Sequence, residues 1–145
     1  MKKIDYKISD SSFIFLKKED KLLMYLRDNN PYIIHPEHWA LIGGGIEKYE
    51  TPLEGLLREI REEINCSVKN ISFIGKIDVN NLVYNNQLLK DHKLYFFKGD
   101  IEKEIKEIKL TEGQRLGYFT FDEFEKLKVS KLLKDFILVN KNIIF

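Results

Sequence analysis

The sequence predicts a mixed α and β fold in a single domain, residues 1–145, and three observations carry that prediction. One segment opens with every signal that starts a helix and continues with apolar residues at helical spacing. Several short runs rich in β-branched and aromatic residues lie between polar or Asn-rich turns. With 145 residues, 43% of them hydrophobic and 32% charged, the chain is long and apolar enough to bury a core.

The first ten residues read as a short extra strand or an arm. Ser12-Phe13-Ile14-Phe15-Leu16 and Leu22-Leu23-Met24-Tyr25-Leu26 predict two strands joined by the polar turn Lys18-Glu19-Asp20, a hairpin. Arg27-Asp28-Asn29-Asn30-Pro31 follows as a loop. His38-Trp39-Ala40-Leu41-Ile42 predicts a strand that delivers the chain into a glycine loop, Gly43-Gly44-Gly45.

The helix comes next. Thr51, Pro52 and Glu54 supply an N-cap, a proline at the first helical position and a capping box, so a helix starts at Pro52. Leu53, Leu56, Leu57, Ile60 and Ile64 fall within one stripe roughly 100° wide, which predicts a buried face. Glu59, Glu62 and Glu63 cluster beside it at i, i+3 and i+4. Carboxylates so placed repel by a few tenths of a kcal/mol per pair, and Glu62 and Glu63 sit in the last turn, where the helix dipole disfavours anions. Taken alone, such a face is ordinarily a solvated one balanced by Arg58 and Arg61. The glycine run in front of it turns the reading toward a hard cation such as Mg²⁺, which takes carboxylate and phosphate oxygens.

Beyond the helix, residues 71–79 alternate well enough for a strand, Asn80-Asn81 and Asn85-Asn86 mark turns around Leu82-Val83-Tyr84, and residues 92–100 give the strongest strand signal of this half. Residues 102–109 are a mixed-charge, exposed stretch. Thr111-Glu112-Gly113-Gln114 predicts a turn and Leu116-Gly117-Tyr118-Phe119 a strand. A second capping box, Thr120 to Glu123, starts a short helix, and Ser130 caps a last one built on Leu132, Leu133, Phe136 and Ile137.

The formal net charge of +1 offers no global field toward nucleic acid or an anionic membrane. Residues 43–68 nevertheless carry six acidic and three basic side chains, net −3, leaving +4 for the remainder. The single cysteine, Cys66, excludes an internal disulfide and suits a reducing compartment. No apolar run approaches 18 residues and Met1-Lys2-Lys3 leads straight into mixed polar sequence, so a cytoplasmic protein without a membrane partner is expected. His35, His38 and His92 lack the paired spacing of a metal site, and no Ser/His/Asp or Cys/His arrangement suggests a protein nucleophile.

Read from Gly44, the chain gives Gly, five residues, Glu50, seven residues, Arg58-Glu59-Ile60, one residue, Glu62-Glu63, one residue, Asn65, Cys66. This closely resembles the signature of the Nudix (MutT-type) hydrolases, a loop-helix-loop that binds Mg²⁺ and a diphosphate. Three departures are visible: Asn65 where glycine is usual, Ile42 in place of a proline, and Tyr49 in place of a glycine.

The resemblance implies an α/β/α sandwich around a mixed sheet, and Mg²⁺-dependent hydrolysis, Mn²⁺ being a substitute, of a pyrophosphate bond in a nucleoside diphosphate derivative. It implies Glu59, Glu62 and Glu63 as principal metal ligands, the Gly43 carbonyl as a further one, and Glu50 with Arg58 as a supporting pair. Glu112 matches the acidic residue of a late loop that ligates metal or acts as base in several members. Arg27, Gly44 and Trp39 are expected at the substrate, Trp39 as a stacking platform, although a strand tryptophan is more often core. The run from Leu26-Arg27-Asp28 through Trp39 to Gly43 looks like MutT-like members and leans toward nucleoside triphosphates. Nucleotide sugars, ADP-ribose, and a binding module without turnover stay open. So does a homodimer.

Overall fold

The structure, a computed structural model, describes residues 3–145. The two apolar runs make its centre: β1 (Ser11–Lys18) and β2 (Lys21–Leu26) form the expected hairpin. Their apolar residues are nearly continuous because the sheet is covered on both faces. Ile14, Leu16, Leu23 and Tyr25 enter one core, and Phe15, Leu22 and Met24 the other.

Parallel to β1 runs β8 (His92–Asp100), which is antiparallel to the edge strand β5 (Lys69–Val79). On the other side β9 (Arg115–Phe119) pairs with β2. The sheet is therefore mixed.

Between β1 and β2 the sequence expectation needs correcting. The predicted strand at 38–42 is two strands, β3 (Trp39–Ala40) on β2 and β4 (Ile42–Gly45) on β1. The glycine run is thus paired backbone rather than a loop. β1 leaves room for it, since its hairpin pairing with β2 is confined to Lys17 and Lys18, and the first half of β1 takes Gly43, Gly44 and Gly45 opposite Phe13, Ser12 and Ser11.

Helix α1 (Pro52–Glu63) covers one face through Leu56 and Ile60, with Ile64 at its end. α2 (Phe121–Phe124), α3 (Lys131–Val139) and α4 (Lys141–Ile144) cover the other, where Phe136 stacks on Phe96 at 4.1 Å between ring centres. The result is a three-layer α/β/α sandwich.

The 102–109 stretch contains one 3₁₀ turn, Ile105–Glu107, and Ile105 and Ile108 pack against the α1-side core. β6 (Val83–Tyr84) and β7 (Gln87–Leu88) make a small hairpin on Asn85-Asn86, both at positive φ as a two-residue turn requires. Residues 3–10 form no strand; the Gln87 amide holds Ile4 by its N–H at 2.8 Å and its carbonyl at 2.7 Å, so this segment is an arm. Met1 and Lys2, which share that expectation, lie outside the described residues. No described helix is long and apolar enough to cross a membrane.

Candidate active site

The site is built where α1 meets β4. The helix begins as its capping box dictates: Thr51 Oγ1 accepts from the Glu54 N–H at 3.1 Å, and Glu54 Oε1 accepts from the Thr51 N–H at 2.9 Å. It ends with Asn65 at φ 47°, whose N–H reaches the Ile60 carbonyl at 2.9 Å, a left-handed cap for which asparagine ranks next after glycine. Tyr49 also stands in the left-handed region, at φ 73°.

The buried face of α1 is not the face its leucines predict. Gly55, Leu56, Ile60 and Glu63 are the buried residues of the helix, whereas Leu53 and Leu57 are each 43% exposed. At about 100° per residue, the buried arc is turned roughly 65° from the centre of the apolar stripe, toward the carboxylates. That rotation leaves two leucines half in water and carries Glu63 inside, at 2% exposure.

The glycines let the strand lie against those carboxylates. Gly43 has φ 143°, and a Cβ there would run into the Ser12 carbonyl oxygen; a Cβ on Gly44 would stand 2.8 Å from Glu59 Cδ. Ser12, fully buried, ties the layers together by donating its hydroxyl to the Pro52 carbonyl at 2.7 Å. The Gly43 N–H donates to Glu63 Oε1 at 3.2 Å. Glu63 Oε2 is buried with no hydrogen-bond partner.

Arg58 organises the other side. It forks onto Glu50 by Nε to Oε2 at 2.8 Å and Nη2 to Oε1 at 3.0 Å, donates to the Gly45 carbonyl at 2.8 Å, and reaches Glu59 at 3.1 Å and Glu62 at 3.2 Å. These bonds keep the guanidinium firmly protonated and hold the Glu50 carboxyl below its ordinary range. Glu62 is drawn outward, its side chain 56% exposed.

Glu112 closes the site from the far side. The Thr111 N–H donates to the Glu63 carbonyl at 3.1 Å and its hydroxyl to the Glu62 carbonyl at 2.8 Å, which brings Glu112 within electrostatic reach of Glu59 and Glu63. Burial above all, then the Glu59 carboxylate close beside it and the charge of Glu112, push the Glu63 carboxyl up to about 10. Burial and Glu59 raise Glu112 as well. Among the described residues no three acidic side chains converge on one ion-sized point, since Glu62 is held toward Arg58.

A divalent cation nevertheless suits this donor set. It would supply the partner that Glu63 Oε2 lacks and compensate two or three carboxylates that otherwise resist ionisation together. The comparisons with known proteins agree with the geometry. A family model described as NUDIX domain matches residues 7–138. The chain belongs to the NUDIX family.

Solved Nudix structures share the fold at low identity. A MutT protein from Bacillus halodurans superposes with a TM-score of 0.70 and 21% identity, covering 93% of this chain and 81% of that one. The NUDIX domain of Shewanella oneidensis NrtR, complexed with ADP ribose, gives 0.67 at 14% identity over 94% and 86%. A bifunctional NMN adenylyltransferase/ADP ribose pyrophosphatase from Francisella tularensis gives 0.68 at 15%, covering 93% of this chain and 41% of its own. The chain thus shares the Nudix fold with these proteins.

Within this Nudix fold Gly43, Gly44, Glu59, Glu63 and Glu112 come together, with Glu50 and Arg58 directly behind. Arg27 lies at the margin beside Glu112, its Nε donating to the Ile34 carbonyl at 3.1 Å. Trp39 is half-buried: Phe119 meets its ring edge-on at 4.7 Å, the Arg115 guanidinium lies 5.5 Å over it, and it packs on the α3-side core. Sequence reasoning missed the parts played by Ser12, Tyr25 and Thr111; Gln114 was visible only as the end of the Glu112-Gly113-Gln114 loop.

Proposed function

We propose that this Nudix chain hydrolyses a pyrophosphate bond of a nucleoside diphosphate derivative with Mg²⁺, or Mn²⁺ in its place, and that a nucleoside triphosphate is the preferred substrate. The observation that supports this most is the unpartnered, buried Glu63 Oε2 beside Gly43, Glu59 and Glu112. Glu59, Glu63, the Gly43 carbonyl and, once turned from Arg58, Glu62 would hold the ion. When bound, the cation neutralises phosphate oxygens and lowers the pKa of water.

The chain's own side chains supply the rest. Arg58 orients Glu50 and Glu59, so their oxygens need little reorganisation. Glu112, whose carboxyl burial and the Glu59 charge raise above its ordinary range, would take the proton of the attacking water. Arg27 at the margin offers positive charge to a phosphate. The absent side chain of Gly44 lets β4 lie directly against the Glu59 carboxylate. The triphosphate preference rests on the MutT-like run from Leu26 to Gly43.

The test is a substrate panel with Mg²⁺ and product identification by ³¹P NMR. Pyrophosphate plus a nucleoside monophosphate from a triphosphate supports the proposal. Two monophosphate products from ADP-ribose or a nucleotide sugar would move the substrate to that class. Binding without turnover across the panel would make the domain a nucleotide-binding module.

A further inference from the structure

The four residues around Glu112 are fastened at both ends. Before it, Thr111 is bonded to the last carbonyls of α1. After it, the Gln114 N–H donates to the Leu26 carbonyl at 2.8 Å and the Gln114 side chain to the Arg27 carbonyl at 2.9 Å. Between the two, Gly113 stands at φ 82° and lies so flat on the Tyr25 ring that a Cβ would come within 2.6 Å of Tyr25 Cδ2 and 2.8 Å of the Leu26 carbonyl.

Tyr25 itself is 4% exposed and packed in the core beneath α1. Its hydroxyl accepts from Arg27 Nη1 at 3.3 Å. A guanidinium only donates, so the single phenolic proton is left for an acceptor, and the Glu63 and Glu112 carboxylates both lie within electrostatic reach of the hydroxyl. The ring thus supports the loop from below, with the hydroxyl on the side where Glu112 stands.

We propose that Tyr25 is a positioning residue for Glu112, holding that carboxylate toward the Glu59 and Glu63 pair by ring contact with Gly113 and by its hydroxyl. This rests on the reading of Glu112 as a group that acts at the site. Arg27 is drawn into the same unit, because its bond to the Tyr25 oxygen orients the phenolic proton.

Tyr25→Phe keeps the ring and removes only the hydroxyl. It should lower kcat about ten-fold with KM within about two-fold, since an interaction made in the transition state is lost while ground-state binding is kept. In a Glu112→Gln background the same change should cost nothing further. In the metal-free protein, amide exchange at Gly113 and Gln114 should speed up several-fold in Tyr25→Phe, with the α1 amides unchanged. Gly113→Ala, which lifts the loop off the ring with the hydroxyl in place, should give the same exchange increase. An equal kcat loss from Tyr25→Phe with and without Glu112, or unchanged exchange in both variants, overturns the role of Tyr25. Undiminished kcat in Glu112→Gln alone overturns instead the reading of Glu112.

Discussion

Replacing Glu63 with Gln should change how the metal-free protein responds to pH. In the folded chain the Glu63 carboxyl titrates at about 10, whereas its ordinary value is 4.5. Between those values the folded state keeps a proton that the unfolded state has released. Its stabilising contribution is therefore complete below about pH 4.5 and declines as pH rises toward the folded pKa, with a limiting slope of about 1.4 kcal/mol per pH unit. From pH 5 to pH 7 this amounts to roughly 2 to 3 kcal/mol. Urea unfolding in EDTA at several pH values measures it. Other groups titrate in the same range, so the informative quantity is the difference between wild type and Glu63→Gln. The variant should gain stability relative to wild type as pH rises, while Mg²⁺ at a hundred times its Kd should stabilise wild type by about 2.7 kcal/mol and the variant far less. Parallel stability curves for the two proteins, with equal response to Mg²⁺, would refute the burial of an uncompensated carboxyl.

The two glycines should fail differently. Gly44→Ala pushes on the end of the flexible Glu59 side chain, so the protein should stay folded and lose turnover by about 10²-fold, whereas Gly43→Ala meets the Ser12 backbone at an unfavourable φ and should cost about 3 kcal/mol in thermal unfolding. His35 tests a second pH effect of opposite sign. Burial first, then the charges of His38 and Arg27, lower its pKa from 6.5 to about 4. The unfolded state therefore binds the extra proton in that window, and stability is lost as pH falls from 6.5 toward 4. His35→Gln, compared with its parent in the Glu63→Gln background, should flatten the melting temperature over that range.

Much of this was legible locally. Thr51-Pro52 and Glu54 place the helix start within the chain's own neighbours and Asn65 its end, whereas the helix layers on both faces of the sheet follow only from the family resemblance. The carboxylates of α1 were visible because their spacing has no structural advantage for a helix. What local pattern cannot carry is pairing across the chain. The glycine run becomes a strand because β1 has an open edge some thirty residues earlier. The half-exposure of Leu53 and Leu57 follows from a rotation that brings Glu63 inward, which no hydrophobic periodicity encodes. Tyr25, Thr111 and Gln114 matter only because the fold lays the 111–114 turn between α1 and the end of β2.

The proposed chemistry requires a cation seated against Glu63. Crystals grown with Mn²⁺ and measured at its absorption edge should show an anomalous peak bonded to Glu63 Oε2 and Glu59, with Glu62 swung away from Arg58. A structure in which Glu63 stays as it is and no peak appears beside it, at a Mn²⁺ concentration where the same protein hydrolyses its substrate, would contradict it.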